Sequence, residues 1–484
     1  MNLIDEYCSL VSKYFDIPPQ FVRASAYYIL AATLGRHASI IDLPSQQSKP
    51  NVFFILSGPS AFSRKSQLLS IVKRVLREEF VLVNQDKFKA KEATAEQEPE
   101  TGAEFEEIGR TEAEEDRKTK FLKRLWAEHV LQGSNVEGLA DEIAKTRHDF
   151  YCIMSAEFGY SLSKSVERDS YTHGILQLYS DLYYGEDYKQ NLSQRGGKEG
   201  TRYIPEGIYF SIFALMQEAE LYLSEIMLKQ GFLRRCVLVP VERKHLDARN
   251  YKPPIGPDRD VFWLVDLPRY IQKLAEMEKK MTEGVMLKLD QSVADKINRY
   301  DKDIYTRGIQ DAKDRKVEPF DEYSASSWEF RVKLSCLDAL ASEPESIEEF
   351  TRVTDASYAR TVAFLDSIEP NQREVIFKII HRKEEAKRVA YVAPTSEYEL
   401  GNFVKVARSY DWLLTKAVVM KEMGLGNGTV VLRILGDGVA AGVLELVIQP
   451  EKDLTPEQYQ RFKPRQGPYP QVFRVTEEGR KRFE

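Results

Sequence analysis

NVFFILSGPSAFSRKSQLLSIVKRVL, residues 51–76, is the stretch on which the reading of this chain turns. Phe53 to Leu56 is an apolar run closed by Ser57 and Gly58, which reads as a buried strand. Leu68, Leu69, Ile71, Val72, Val75 and Leu76 then recur at helical spacing. A lysine and a serine at the start of a helix that follows a strand suit a phosphate-binding loop, because orphan N–H groups and the helix dipole converge there on an anion. Lys65 would meet the β- and γ-phosphates of ATP, and the Ser66 hydroxyl would hold Mg²⁺. Two departures stand out: Gly58 to Lys65 is one position longer than the usual loop, and Arg64 occupies the usual glycine position. Arginine tolerates positive φ poorly, so the backbone is expected to distort there or to run differently, with the extra residue near Ala61–Phe62 relieving it. Gly58, Pro59, Ser60, Ser63, Arg64, Lys65, Ser66 and Gln67 are the nucleotide-cup candidates. The plainer alternative is a strand–turn–helix with a chance Lys-Ser.

Working outward, 484 residues suffice for two or three domains, and 43% hydrophobic with 30% charged residues is ordinary for a globular chain. A net charge of −6 argues against a uniformly basic nucleic-acid coat but leaves room for a local basic patch. Cys8, Cys152, Cys236 and Cys336 form no CxxC pair, so neither a zinc module nor a disulfide framework is expected. No run approaches the roughly twenty apolar residues of a membrane helix, and MNLIDEYCSL is acidic where a signal peptide is basic. A cytoplasmic protein without membrane attachment is the expectation.

Along the chain, residues 1–50 read as a helical region with a first strand, and residues 87–118 as a charged, mostly acidic insertion. FYCIM (150–154), IYFSIFALM (208–216) and CVLVPV (236–241) are unalternated apolar runs between helical segments, as expected of core strands in a mostly parallel covered sheet. Their polar ends carry the chemistry. Glu157 ends the first and could polarise an attacking water, although Ala156 replaces the usual aspartate before it. Gln217 ends the second and could sense the γ-phosphate. Arg234 and Arg235 open the third, where one guanidinium could reach a phosphate of its own subunit or a neighbour's. Each also has a bland reading: a surface acid, a strand-end glutamine, a solvated arginine pair. Residues 51–258 thus read as the core, and 259–390 as a largely helical lid or interface.

In order, NVFFILSGPSAFSRKS, GSNVEGLADEIA, YCIMSAEFGYSL, LQLYSDLYYGEDY, YFSIFALMQEAEL and GFLRRCVLVP resemble a family of helicase-like P-loop ATPases found beside primases in phages, plasmids and integrated elements. The resemblance covers about residues 15–380. It implies a RecA-like or AAA-like α/β core, assigns Lys65 and Ser66 to nucleotide and metal, Glu157 to catalysis and Gln217 to sensing, and gives Arg234 or Arg235 to a ring neighbour. RKS in place of GKS also occurs in that family. The lengthened loop and Ala156 weigh against robust hydrolysis more than against binding.

Residues 395–484 read as a winged helix-turn-helix. A helix at 415–423 ends near Gly424, LGNG turns, and Thr429 caps a second helix carrying Val430, Leu432, Ile434 and Leu435. AAGVLELVI and VFRV supply wing strands around the basic YQRFKPRQGPYP. Arg433, Arg461, Lys463 and Arg465 are the DNA-contact candidates, reading mainly phosphates. Winged helices also serve as protein-binding modules. Two functions follow: an ATP-driven DNA motor, as a homo-oligomer (a hexamer by expectation) on single- or double-stranded DNA with a primase or replication partner, or a DNA-binding adaptor with a degenerate nucleotide fold. A metabolic kinase is a distant third, since no acceptor-site pattern accompanies the loop.

Overall fold

A computed structural model describes residues 2–43, 49–59, 63–85, 119–132, 136–165, 174–191, 201–242, 252, 257–313, 319–342, 350–392, 397–422, 431, 435, 439, 443–447, 450–462 and 471–483. The chain forms two compact units, Met1–Arg382 and Lys383–Glu484. The first is an α/β unit built on parallel sheets.

In chain order its elements begin with helices α1 (Leu3–Tyr14) and α2 (Pro19–Ala32), strands β1 (Ala38–Ile40) and β2 (Phe53–Ser57), and helix α3 (Lys65–Val83). Helix α4 (Val136–Thr146), strand β3 (Phe150–Ser155), helices α5 (Phe158–Ser165) and α6 (Ile175–Tyr184), and the antiparallel pair β4 (Tyr188–Asn191) and β5 (Thr201–Ile204) follow. Then come β6 (Tyr209–Met216), the short helix α7 (Ala219–Tyr222), β7 (Cys236–Pro240), α8 (Leu267–Lys280), β8 (Val285–Leu289), α9 (Ser327–Ser342), β9 (Phe350–Val353) and α10 (Asp355–Val392).

The central sheet has the order β3-β6-β2-β7, all parallel. Every residue of β2, β6 and β7 is buried, which is why these strands read as continuous apolar runs: both faces are covered. Alternate side chains feed two cores. Phe54, Leu56, Phe213, Leu215, Val237 and Val239 pack on one face with α2 and α3, while Phe53, Ile55, Phe210, Ile212, Ala214 and Leu238 pack on the other with α4 and α6. The first core also takes in α1, α8 and α9, so the helical regions flanking the strands belong to the same unit. A second parallel sheet, β1-β8-β9, joins residues far apart in sequence; β8 buries alternate residues and exposes Met286 and Lys288. The strands β8 and β9 fall within the stretch read as a helical lid, and β8 alternates because only one of its faces is covered.

The amino edge of the central sheet is sealed by a polar cluster. The Asn51 amide donates to the carbonyls of Tyr183 (2.8 Å) and Phe210 (3.0 Å), and Lys333 Nζ donates to Asn51 Oδ1 at 2.8 Å. Lys333 is fully buried and lies 3.8 Å from the Tyr183 ring centre. Burial pushes its ammonium down to about 7, against the opposing charge of Glu329.

In the second unit, helix α11 (Glu397–Arg408) precedes strand β10 (Leu413–Thr415) and helix α12 (Lys416–Glu422). Strand β11 (Leu444–Leu446), helix α13 (Pro456–Phe462), strand β12 (Val472–Val475) and helix α14 (Glu477–Phe483) follow. Its sheet is antiparallel, ordered β10-β12-β11. Tyr459 to Phe462, expected in an irregular wing, are helical instead. Thr455 Oγ1 accepts from the Gln458 N–H at 3.3 Å and Gln458 Oε1 accepts from the Thr455 N–H at 3.1 Å, a reciprocal capping box that starts α13. The acidic stretch 87–118 lies outside the described residues. No helix among the described residues is long and apolar enough to cross a membrane.

Candidate functional site

Ligands of open parallel sheets bind in the crevice beyond the carboxyl ends of the strands, where connections leave to opposite sides. From β2 the chain runs to β3 on one side, and from β6 it crosses to β7 on the other. Ser57 is level with Met216 and with Pro240, and Ser155 is level with Ala214. Gly58, Gln217 and Glu157 therefore leave the sheet at one edge.

The loop begins with a close approach. A Cβ on Gly58 would lie 2.8 Å from the Val241 carbonyl oxygen, so no other residue fits there without a shift. The Ser63 N–H and hydroxyl both donate to the Pro59 carbonyl, at 3.2 and 2.7 Å. Ser60, Ala61 and Phe62 lie outside the described residues. Arg64 takes φ 50° and ψ 26°, the left-handed conformation that the absent glycine would supply, and caps α3. The turn is thus kept, at a cost of roughly 1–2 kcal/mol for a residue with a Cβ. Arg64 Nε stands 3.4 Å from the Asp16 carboxylate.

Lys65 is the first residue of α3 and only 6% exposed. Its ammonium donates to the carbonyl oxygen of Gly58, the other end of the loop. Burial lowers its pKa to about 8, and the charge of Glu218 opposes that shift. Ser66 is exposed in the first turn, and the Gln67 N–H reaches the Arg64 carbonyl at 3.1 Å. The Lys65 and Ser66 N–H groups ahead of it are among those that an α-helix leaves without an intrahelical acceptor.

Lys65, Ser66, Glu157, Gln217, Tyr160 and Tyr222 line one cavity of about 290 Å³. Four of the sequence candidates meet there. The volume lies at about the lower limit of ligand pockets, roughly 300–1,000 Å³. The side chains of its lining residues carry an ammonium, hydroxyls and an amide as donors, and their acceptors are oxygens, the set that hard cations such as Mg²⁺ prefer. Ala156 contributes no ligand, so β3 presents a single carboxylate here. Gly159, at the start of α5, allows Tyr222 against it; a Cβ there would lie 2.6 Å from the ring.

Arg234 and Arg235 are elsewhere. They precede β7, at the amino edge, and a five-residue strand spans roughly 16 Å. The sheet does not bring them to the cavity of their own chain. Arg235 Nη1 donates to the Gly231 carbonyl at 2.7 Å, and its guanidinium lies 4.7 Å from the Tyr184 ring centre. Arg234 Nε is buried without a hydrogen-bond acceptor. In the second unit, Arg461 pairs with Asp411 at 2.8 Å, while Arg433, Lys463 and Arg465 lie outside the described residues.

Two residues that sequence reading missed are Ser57 and Glu218. The Ser57 hydroxyl donates to the Gln217 carbonyl at 2.7 Å and accepts the Ala219 N–H at 2.8 Å. Glu218 lines a second cavity of about 360 Å³ with Ser57, Gly58, Pro59 and Lys378, and its charge acts on Lys65. The signal was present, since LSG and MQE each carry one more polar residue at a strand end than was used.

These features define an α/β protein with parallel sheets and a polar crevice at the carboxyl edge of the larger one. Comparison with protein-family models and with curated proteins finds no match to this chain.

Proposed function

We propose that the chain is a P-loop ATPase with a RecA/AAA-like core and a C-terminal winged helix, acting as an ATP-dependent DNA motor or remodeller. The observation that carries this reading is the shared cavity. Lys65 and Ser66 from the loop, Glu157 from the tip of β3 and Gln217 from the tip of β6 line one space, although up to about 150 residues separate them in sequence. The left-handed Arg64 supports it, because it keeps the turn that points the start of α3 at an anion.

In this role Lys65 exchanges the Gly58 carbonyl for the β/γ-phosphates, which offer a charged acceptor in place of a neutral one. Ser66 holds the metal, and bound Mg²⁺ would supply charge neutralisation across the phosphates. Glu157 orients the attacking water and Gln217 touches the γ-phosphate. An arginine from the amino edge, Arg234 or Arg235, serves a neighbouring protomer, which calls for a homo-oligomer, with a hexamer the form the resemblance implies. The antiparallel order β10-β12-β11 with flanking helices suits a winged helix, and the basic sequence from Arg461 to Arg465 supplies phosphate contacts. The mobile-element setting and a primase partner rest on the resemblance of the six quoted motifs.

The adaptor reading is favoured by one feature, the Lys65 ammonium held on its own loop carbonyl. Turnover separates the two. With single-stranded DNA present, the motor reading expects Glu157→Gln to keep ATP binding while turnover falls roughly 10²–10⁴-fold. Lys463→Glu with Arg465→Glu should remove the DNA stimulation and lower the salt slope of DNA binding by about 2. ATP binding without turnover in the wild type, unchanged by Glu157→Gln, would leave the adaptor; no ATP binding at all would end the motor and leave a DNA-binding adaptor whose nucleotide fold is degenerate.

A further inference from the structure

We propose that the Ser57 hydroxyl is a positioning group for the nucleotide site, holding Gln217 beside Lys65 and Glu157 by pinning the turn that leaves β6. The proposal rests on the ATP-binding reading above.

Ser57 is the last residue of β2 and only 3% exposed. It is tied on both sides. Its carbonyl accepts the Val241 N–H at 2.8 Å, and its hydroxyl bridges Gln217 and Ala219 in the turn that leaves the other neighbouring strand, β6. Ala219 opens the short helix α7 and is fully buried, so water cannot serve its N–H. The residue in the capping position, Glu218, makes no side-chain cap. Ser57 supplies that acceptor from across the sheet.

The consequence lies in what the two turn residues are spared. A capping Glu218 would fold its carboxylate back onto the start of α7. With Ser57 in that role, both Gln217 and Glu218 stay exposed, and they straddle the loop. Gln217 faces the cavity of Lys65, Ser66 and Glu157, whereas Glu218 faces the one lined by Gly58 and Pro59. Ser57 is also covalently joined to Gly58. A displacement of the loop is therefore carried to the Gln217 turn through this buried hydroxyl, beside the longer Gly58 N–H to Met216 carbonyl contact at 3.4 Å.

Removing that hydroxyl leaves the Ala219 N–H and the Gln217 carbonyl without their partner, and the turn must rearrange to satisfy them. Lys65 and the first turn of α3 are untouched. Affinity for ADP should change little, while the extra affinity for ATP that Gln217 provides should fall.

The test measures ATP and ADP dissociation constants by calorimetry for wild type, Ser57→Ala, Gln217→Ala and the double variant. The ratio of ADP to ATP dissociation constants should fall roughly tenfold in Ser57→Ala, match that of Gln217→Ala, and fall no further in the double variant. Additive losses, an unchanged ratio in Ser57→Ala, or a wild type without ATP preference would each overturn the proposal. A wild type that binds neither nucleotide would instead bring down the ATPase reading itself. Where Ser57→Ala does not fold, Ser57→Thr and Ser57→Val replace it, since they share a shape and differ in the hydroxyl. A ratio retained by Thr and lost by Val supports positioning. Equal ratios, or a failure of both to fold, overturn it.

Discussion

At the amino edge of the central sheet, Lys333 is wholly enclosed and gives its proton donors to Asn51 and the Tyr183 ring. At the carboxyl edge, Lys65 is nearly as enclosed, yet it opens on a cavity whose other walls are the exposed Ser66, Glu157 and Gln217. Burial lowers both ammonium pKa values, to about 7 and about 8. A lowered lysine pKa therefore records enclosure at either edge and cannot by itself mark the reactive one. The difference lies in the neighbours. Around Lys333 the charged donors are engaged within the fold: Lys333 reaches Asn51, Asn51 reaches two carbonyls, and Arg235 Nη1 reaches Gly231, although the Tyr183 hydroxyl and Arg235 Nε are buried without a hydrogen-bond partner. Around Lys65 the groups that could answer a ligand remain exposed.

The comparison breaks most readily at Lys333. Replacing it with alanine strips the counter-charge from Glu329 and the donor from Asn51, which should cost about 3–5 kcal/mol of stability in chemical denaturation. Nucleotide affinity of the fraction still folded should not change. A Lys333→Ala variant of normal stability that had lost ATP binding would show the amino edge to be the working one.

A smaller effect sharpens the comparison at the other edge. Only the ammonium form of Lys65 attracts phosphate, and its pKa in the free protein is lowered to about 8, chiefly by burial and against the charge of Glu218. ATP affinity should hold steady below pH 8 and decline above it, by up to about tenfold per pH unit, as protein that has lost the proton must regain it to bind. Lys65→Arg should flatten the profile, because a guanidinium keeps its charge throughout. Calorimetric titrations from pH 7 to 9.5 give the readout. An identical decline in Lys65→Arg would assign the titration to another group.

What the sequence reveals follows the same divide. The strands β2, β3, β6 and β7 were legible because burial on two faces leaves unbroken apolar runs, and the residues ending those runs led to Glu157 and Gln217. The strands β8 and β9 were not. Strand β8 alternates buried and exposed residues instead of forming an apolar run, β9 has only four residues, and the sheet is completed by β1, more than 240 residues away from β8. Asn51 and Lys333 are 282 residues apart, so nothing local to either announces the pair. At the loop, the absent glycine was visible but its consequence was not, since Arg64 accepts the left-handed turn that the surrounding contacts require. The helix α13 was legible in principle: TPEQ at 455–458 carries the capping-box spacing just ahead of the basic residues.

The smallest expected effect compares the two ends of α3, the helix that Lys65 opens. Near its far end, Glu79 is buried beside Glu278, which pairs with Arg36 and lies 3.1 Å from His37 Nε2. Burial, with the adjacent Glu278 carboxylate, raises the Glu79 pKa well above the ordinary value. Burial alone would raise Glu278 too, but Arg36 with hydrogen bonds from Glu79 and His37 overrides it and holds that carboxyl well below the usual range. One acid keeps its proton and the other is ionised. Below about pH 4.5 Glu79 is protonated whether the chain is folded or unfolded; above it the unfolded chain releases the proton first, so stability is lost as pH climbs through the native pKa. Glu79→Gln keeps the shape of the protonated acid and cannot ionise, so at pH 5 it should lie within about 1.5 kcal/mol of wild type. From there to pH 9 its stability relative to wild type should rise. Denaturant midpoints at the two pH values measure this, and a relative stability that falls with pH would mean that Glu79 is the ionised partner. Because Lys65 lies at the opposite end of α3, ATP affinity at pH 7 should be the same in both proteins; a shift there would mean that the buried acid pair and the loop act on each other along the helix.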